Sequence, residues 1–286
     1  MRKRFFFMRF PEGRKKTLTF SYDDGVVQDV RFARILDQYG MKGTFNINSG
    51  CYAPETPNPD KPTRRLSKSA IDALFADGRH EVAVHSLSHP FLEVLPSGAA
   101  AYEVVKDREN LERQFGRIVR GMAYPMGTFS DDVVDTLRQC GIAYARTTVS
   151  TEKFKLPTDW LRLPATCHHN NPRLMELARN FVENPSKWHA QMFYLWGHTY
   201  EFDDNDNWCV IEEFCKYMSG REKEIWYATN IEIYEYIEDY NRLVWTVDMS
   251  RVYNPTCRTL WFAAADRDCV YSIAPGEFLD VEALEK

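Results

Sequence analysis

The sequence predicts an α/β protein with a parallel sheet, because strand patterns alternate with helix patterns over most of its 286 residues. Residues 17–22 alternate like a strand, and residues 26–39 follow with helical spacing that ends at Gly40. The succession recurs, with further strands at 43–48, 81–84, 118–124, 142–147, 191–196 and 225–228 and further helices at 67–76, 99–115, 131–140, 208–218 and 231–240. This many units are compatible with a barrel.

The pattern changes near Leu243. Short strand patterns follow, with no helical pattern between them, at residues 244–247, 259–262, 270–273 and 277–281. We therefore expect a barrel-like unit over residues 1–242 and a small β-rich appendage over residues 243–286. Such an appendage could be a carbohydrate-binding surface, an oligomer contact or a lid on the barrel, and the sequence pattern does not distinguish these roles.

The composition is that of an ordinary globular protein, with 44% hydrophobic and 27% charged residues. A net charge of −5 argues against a nucleic-acid binder, which needs a basic face. No apolar run approaches the roughly 20 residues that span a bilayer. Residues 5–8 are too short for the apolar core of a signal peptide, which is about 7–15 residues long. We therefore expect a cytoplasmic protein.

Two further features of composition bear on the environment of the chain. The basic and aromatic segment at residues 2–16 is expected to form a solvated N-terminal extension. The seven cysteines are odd in number and form no CxxC pair, which favours free thiols in a reducing compartment.

Polar residues suited to metal and proton chemistry follow three of the predicted strands. Asp23 and Asp24 end the first strand, His85 and His89 follow a later one, and His198 follows the last long apolar one. Because the carboxyl ends of parallel strands meet at one edge, we expect these groups to converge. Two histidines four apart on a helical turn, with one aspartate, could hold a divalent ion and leave positions for water and substrate.

Each of these signals has a simpler alternative. An Asp-Asp-Gly sequence alone is typical of a turn, an HxxxH pair alone is weak evidence of a metal, and His198 alone could be structural. The cluster Cys167, His168 and His169 is a weaker metal candidate, because neighbours in an extended chain point to opposite sides and only Cys167 and His169 could share an ion. The acidic segment at residues 200–206 is either a pocket rim or a solvated loop.

Together, the three segments resemble the polysaccharide deacetylase family of carbohydrate esterases. The Thr-Phe-Asp-Asp-Gly strand end of the family appears at residues 19–25, with two residues inserted before the aspartates. Its H-(S/T)-x-x-H motif appears at residues 85–89, and its hydrophobic residue before a catalytic histidine appears at residues 195–198. The resemblance covers about residues 17–200 and implies a distorted (β/α)7-type barrel.

The resemblance implies a role for each matching residue. Asp23 corresponds to the general base, and Asp24, His85 and His89 correspond to the ligands of one divalent metal ion. His198 corresponds to the acid that protonates the leaving group. Zinc is the first expectation for the ion, with cobalt, nickel or iron as alternatives.

The third motif of the family departs from its usual form. Arg-x-Pro-Tyr appears here as Ala123, Tyr124, Pro125 and Met126, so the arginine that commonly orients the base aspartate is absent. The backbone N–H of Met126 matches the donor to the oxyanion, and a backbone donor survives replacement of the side chain.

The fourth motif of the family, an Asp-Trp pair, corresponds to Asp159 and Trp160. The resemblance implies that Asp159 supports His198 and that Trp160 lines the substrate pocket. Trp160 as an ordinary core residue is the competing interpretation.

These observations predict a metal-dependent hydrolase that removes N- or O-linked acetyl groups from an acetylated carbohydrate. One alternative is a hydrolase of non-sugar C–N amide bonds. Another, of a different class, is a catalytically silent carbohydrate-binding relative, which the absent arginine invites. Neither a nucleic-acid partner nor a membrane span is expected, and the sequence favours no particular oligomeric state.

Overall fold

The computed structural model describes residues 5–56, 58–60, 62–265 and 269–283, with a helix-covered parallel sheet at its centre. The strands are β1 Phe6–Arg9, β2 Lys16–Asp23, β3 Thr44–Ile47, β4 Glu81–Val84, β5 Gly121–Ala123, β6 Tyr144–Ser150, β7 Leu163–Ala165, β8 Cys167–His168, β9 Gln191–Gly197, β10 Ile225–Tyr227, β11 Val244–Trp245, β12 Arg251–Tyr253, β13 Leu260–Ala264, β14 Val270–Ile273 and β15 Phe278–Asp280. The helices are α1 Asp29–Gln38, α2 Lys68–Leu74, α3 Ser97–Phe115, α4 Asp131–Gln139, α5 Leu174–Glu183, α6 Tyr200–Asp204, α7 Trp208–Met218 and α8 Asn230–Asn241.

The central sheet is parallel, in the order β7–β6–β5–β4–β3–β2–β9–β8, and β10 pairs with the beginning of β2. Only Thr166 separates β7 from β8, so this one segment pairs with β6 through its first half and with β9 through its second. Thr166 donates its N–H to Tyr194 O at 2.9 Å, and its Oγ1 accepts the N–H of Tyr194 at 3.0 Å. The segment borders both ends of the sheet and curls it into a distorted barrel, which confirms the predicted α/β fold of (β/α)7 type.

Side-chain alternation in β2 separates an outer apolar layer from a polar interior. Phe20 faces outwards and packs edge-on against Phe32 of α1 and Phe214 of α7. Thr19 faces inwards, where its hydroxyl donates a hydrogen bond of 2.7 Å to a side chain of α8. Asp23 lies four residues later, hence on the same inner face, and is the last residue of the strand. The strand therefore places a carboxylate at the carboxyl end of the barrel.

The N-terminus of α8 fills the amino end of the barrel. Glu81, the first residue of β4, accepts hydrogen bonds of 2.9 Å from both Ile231 N–H and Thr44 Oγ1, and one of 2.7 Å from Tyr144 Oη. Burial raises the pKa of Glu81 to about 7, although these donors oppose the shift. Hydrogen-bonded side chains thus fill this end, and the charged residues of the motifs collect at the other.

Side-chain hydrogen bonds determine where several helices begin. Ser67 accepts a backbone N–H of the first turn of α2 at 3.3 Å, and Ser130 does the same for α4 at 3.2 Å. Helix α1 begins at Asp29, three residues later than predicted, because Asp29 Oδ2 accepts the N–H of Val26 at 2.9 Å and holds the preceding residues in a turn.

Two three-stranded antiparallel sheets follow the barrel, in the orders β11–β12–β15 and β1–β13–β14. Strand β1 comes from the N-terminal segment, with Phe6 opposite Ala264 and Arg9 opposite Trp261. The expectation of a solvated N-terminal extension is therefore wrong for residues 6–9, and residues 2–4 lie outside the described residues. The predicted β appendage is present, while its division from the barrel at residue 242 stays a prediction.

No helix in the described parts of the chain has both the length and the apolarity needed to cross a membrane. The seven cysteines are all free thiols, and two of them, Cys167 and Cys215, are buried in the outer apolar layer. Burial raises the pKa of Cys167 to about 12, so this thiol stays protonated at neutral pH.

Gly121 leaves room for the side chains that fill the barrel, which a substitution can test. A Cβ at Gly121 would overlap Tyr144 Oη and lie 2.6 Å from Glu81 Oε1. We expect Gly121→Ala to lower the free energy of unfolding by about 1–3 kcal/mol, measured by urea denaturation. The control is Gly98→Ala in α3, where a Cβ meets nothing within 4 Å. This substitution should raise the free energy of unfolding by up to about 1 kcal/mol. Equal effects of the two substitutions would contradict the expectation.

Candidate active site

The structure brings five of the predicted site residues together at the carboxyl end of the barrel. Asp23 ends β2 and Asp24 follows it, His85 and His89 lie in the loop after β4, and His198 comes directly after β9. Strands β4, β3, β2 and β9 are consecutive neighbours in the sheet, so their ends lie side by side. The predicted convergence of these residues is therefore present in the fold.

Asp24, His85 and His89 form a compact set of potential metal ligands. Their nearest ligand atoms all lie within 4.8 Å of one another, and Asp24 Oδ1 is 3.9 Å from His85 Nε2 and 3.6 Å from His89 Nε2. Two ligand atoms at about 2.0–2.1 Å from a tetrahedral ion would lie about 3.3 Å apart, so these separations suit one shared ion. Arg65 Nη2 pairs with the same Asp24 oxygen at 2.9 Å.

The two histidines come from an irregular loop, and the expectation that they share a helical turn is wrong. Ser86 and His89 have positive φ angles of 64° and 60°, which no helical turn contains. Helix α3 holds the loop through Asp107, whose carboxylate accepts the N–H of His85 at 3.0 Å. Asn48 Nδ2 donates to the carbonyl of Ser86 at 2.9 Å. These contacts place both rings on the side of Asp24.

The protonation of His85 fits a metal ligand. Its Nδ1 lies 2.8 Å from the carbonyl oxygen of Ala123, which can only accept a hydrogen bond. The proton therefore resides on Nδ1, and the lone pair of Nε2 faces Asp24. Burial lowers the pKa of His85 to about 4, against the opposing effect of the two aspartates, so the ring is neutral at physiological pH.

Asp23 is almost fully buried and held on both oxygens. Its Oδ1 accepts from Asn46 Nδ2 at 2.8 Å, and its Oδ2 forms an ion pair with Arg146 of β6. The same Oδ2 lies 3.9 Å from His85 Nε2 and 3.8 Å from His198 Nε2. Burial alone would raise the pKa of Asp23, but Arg146 and the two histidines outweigh it and lower the pKa to about 2.

The carboxylate that supports His198 is that of Glu201, the second residue of α6. His198 Nδ1 lies 3.1 Å from Glu201 Oε1, and its Nε2 points towards Asp23. Burial opposes the charged form of His198, but Glu201 and Asp23 together raise its pKa. The structure does not bring Asp159 to His198: Asp159 is exposed, pairs with Arg162 at 2.7 Å and accepts the N–H of Leu161 at 3.1 Å.

A second set of potential ligands surrounds Glu201. His168 Nε2 and His169 Nε2 lie 3.2 Å and 3.0 Å from Glu201 Oε2, close to His198. His168 Nδ1 accepts the backbone N–H of Asn170 at 3.1 Å, so its proton resides on Nε2 and points at Glu201. A protonated nitrogen cannot ligate a metal. Hydrogen bonding to one carboxylate is therefore the better description of this cluster.

The remaining predicted residues lie on the loops after β5 and β6. Tyr124 is buried and donates its hydroxyl to the carbonyl of Leu161 at 2.7 Å. Pro125 is buried beside it, while Met126 is half exposed on a turn with a φ of 59°. Trp160 packs edge-on against Tyr234 of α8, with 5.1 Å between the ring centres. This contact agrees with Trp160 as a core residue rather than as part of the pocket lining.

Arg146 is a site residue that the sequence did not reveal. It lies in the strand predicted at residues 142–147, at a position that alternation places inside the barrel. A cation on the inner face of a core strand was the available signal, because a buried arginine requires a partner.

Comparison with known proteins also points to the polysaccharide deacetylases. The sequence profile of the family described as "Polysaccharide deacetylase" matches residues 11–145. A crystal structure from Mycobacterium smegmatis, assigned to the polysaccharide deacetylases, has a TM-score of 0.56 at 14% identity over 81% of this chain and 93% of that one. No curated protein has a significant sequence match to the chain.

Two other solved structures are similar over less of their length. One is a deacetylase of Streptococcus pyogenes in complex with acetate, with a TM-score of 0.43 and 18% identity over 50% of this chain and 62% of that one. The other is a family 4 carbohydrate esterase pseudoenzyme from Bacillus anthracis, with a TM-score of 0.48 and 15% identity over 80% of this chain and 68% of that one.

Residues 11–145 therefore match a polysaccharide deacetylase domain, and the resemblance seen in the sequence is confirmed for that part of the chain. The matched residues include Asp23, Asp24, His85 and His89 and the altered third motif. His198 and Glu201 lie beyond them, so their part in the site rests on the geometry above.

The proton positions predict which cluster holds metal. We expect His85→Ala to lose stoichiometric divalent metal and His168→Ala to retain it, since only His85 turns a lone pair towards other ligands. Both proteins would be stripped, reloaded with zinc, dialysed and analysed for metal by mass spectrometry. Equal loss in the two variants would contradict the assignment and favour the cluster around Glu201.

Proposed function

We propose that this protein is a metal-dependent deacetylase that hydrolyses N- or O-linked acetyl groups on a carbohydrate. The observation that carries the proposal is the position of Asp23 Oδ2, within 3.9 Å of Nε2 of both His85 and His198. A carboxylate, a neutral imidazole with a free lone pair and an imidazole of raised pKa thereby face one point at the open end of the barrel.

Asp24, His85 and His89 would hold one divalent ion. Two imidazoles and one carboxylate suit zinc first, with cobalt, nickel or iron as alternatives. When bound, the ion supplies Lewis-acid chemistry, which polarises an acetyl carbonyl and lowers the pKa of a water molecule. The fit rests on the lone pair of His85 Nε2, which the carbonyl of Ala123 directs towards Asp24.

Asp23 would act as the general base, because it is ionised at neutral pH and its Oδ2, beside His85 and His198, can accept a proton from the attacking water. His198 would donate a proton from Nε2 to the departing amine or alcohol, while Glu201 stabilises the charged ring through Nδ1. The N–H of Met126, on the turn formed with Tyr124 and Pro125, would bind the oxyanion.

Removal of either proton-transfer group is expected to slow the reaction without loss of metal. We expect Asp23→Asn and His198→Ala each to lower kcat for acetate release by about 10²–10⁴-fold. The assay is acetate release from a panel of N- and O-acetylated sugars after metal stripping and re-addition. Asp159→Asn is the control and should keep the wild-type rate, because Asp159 pairs with Arg162 away from His198.

Three outcomes would contradict the proposal when the same preparations are also tested for sugar binding and for hydrolysis of non-sugar amides. If wild type releases no acetate with any metal but binds the sugars, the protein is a silent carbohydrate-binding relative. If it hydrolyses only non-sugar amides, the substrate class is wrong. If Asp23→Asn and His198→Ala retain full rate, the catalytic assignment fails.

Glu201 is expected to set the alkaline limit of activity. The acid must be protonated to act, and Glu201 helps to raise the pKa of His198. Glu201→Gln removes that negative charge, so the pKa of His198 falls and the alkaline limb of the kcat profile moves to lower pH. Glu176→Gln, an exposed residue that pairs with Arg173, is the control and should leave the profile in place. An unshifted profile in Glu201→Gln would contradict the role of His198 as the acid.

A further inference from the structure

Arg146 is a fully buried arginine that spans the interior of the barrel. It is 1% exposed, starts from β6 and forms its ion pair with Asp23 at the end of β2. On the way its guanidinium lies 4.4 Å from the ring centre of Trp196 on β9. A buried cation needs such a partner, and an aromatic face adds to the attraction. The side chain therefore has a defined place beside the carboxylate.

The strand register explains why the arginine can come from β6. Arg146 is the partner of Ala123 in the parallel pairing of β5 with β6, and Tyr144 is the partner of Gly121. Residues in register on parallel neighbours face the same side of a sheet. Small residues on β5 therefore leave the interior free for the large side chains of β6. Ala123 is the position at which the sequence motif of the family carries its arginine.

We propose that Arg146 is the positioning residue for Asp23, and that it supplies from the neighbouring strand the guanidinium that is absent at Ala123. This inference rests on the proposed function, in which Asp23 is the base. Arg146 does not touch the reacting atoms. It acts through Asp23, and the departure at Ala123 therefore moves an orienting group without removing it.

The contacts of Asp23 show what the arginine would accomplish. Asn46 Nδ2 fixes Oδ1, and Arg146 fixes Oδ2, so the plane of the carboxylate is determined by two bonds. A carboxylate oxygen has two lone pairs, so Oδ2 can accept from Arg146 and still face the side of His85 and His198. Without Arg146, a buried carboxylate bound only by Asn46 could rotate away from that side.

Substitution of Arg146 tests this role. We expect Arg146→Ala to lower kcat for acetate release by about a hundredfold, with KM and metal stoichiometry unchanged, because a misplaced base impairs the reaction and not binding. Arg146→Lys keeps the buried charge but not the planar fork, so we expect a smaller loss and an intact fold. In a crystal structure of Arg146→Ala, Asp23 Oδ2 should leave its position 3.8 Å from His198 Nε2, while Oδ1 can stay with Asn46.

Relocation of the guanidinium provides the matched control. The double variant Ala123→Arg with Arg146→Ala is expected to recover at least tenfold of the kcat lost by Arg146→Ala, because both positions face the same interior. No recovery in a folded, metal-loaded double variant would overturn the proposal.

Two further results would also overturn it. One is a kcat within threefold of wild type in Arg146→Ala, and the other is an unmoved Asp23 in the crystal structure of that variant. The second result does not depend on activity, so it separates a failure of this inference from a failure of the proposed function. An inactive wild type with a displaced Asp23 in the variant would count against the proposed function alone.

Discussion

The side-chain alternation of strand β2 is the constraint on which the rest of the structure depends. Strand β2 pairs with β3, β9 and β10, so it fixes the position of the elements around it. Its outward residues hold the helices through an apolar layer, and its inward residues reach the polar interior. Because the period is two, a slip by one residue would turn Asp23 into the helix layer and Tyr22 into the barrel. The register of β2 therefore determines both the packing of the core and the position of the Asp23 carboxylate.

Elements with strong local periodicity could be predicted from the sequence. Strand β4 and helix α7 have the predicted limits, since each combines a clear apolar period with its own stop signals. Strands β7 and β8 could not be predicted, because the segment contains a proline, is very short and divides its pairing between two partners. Strand β1 depends on a partner more than 250 residues away, which no local pattern encodes.

The candidate site shows the same division between local and long-range information. Asp23, Asp24, His85, His89 and His198 could be predicted because each follows a recognisable strand. The orienting groups could not, because they are defined by which strand lies next to which. Arg146 reaches Asp23 only through the neighbouring position of β6, and Glu201 reaches His198 through the short helix α6. Asp159 has the expected sequence context, but its loop carries it to Arg162 instead.

Proton positions separate two clusters that look equivalent as sets of residue types. Both combine histidines with one carboxylate at short range. A carbonyl behind His85 and a backbone N–H behind His168 give the two rings opposite tautomers. The group behind a histidine thus decides whether its exposed nitrogen can bind a metal or must donate a hydrogen bond.

The register between Ala123 and Arg146 has a consequence for how sequences with altered motifs are judged. Judged by the linear motif alone, an alanine at position 123 marks the loss of an arginine. In three dimensions the same charge reaches the same carboxylate from the adjacent strand. A criterion based on which residue contacts the aspartate in space would classify such sequences by their chemistry. It would not depend on where that residue stands in the linear sequence.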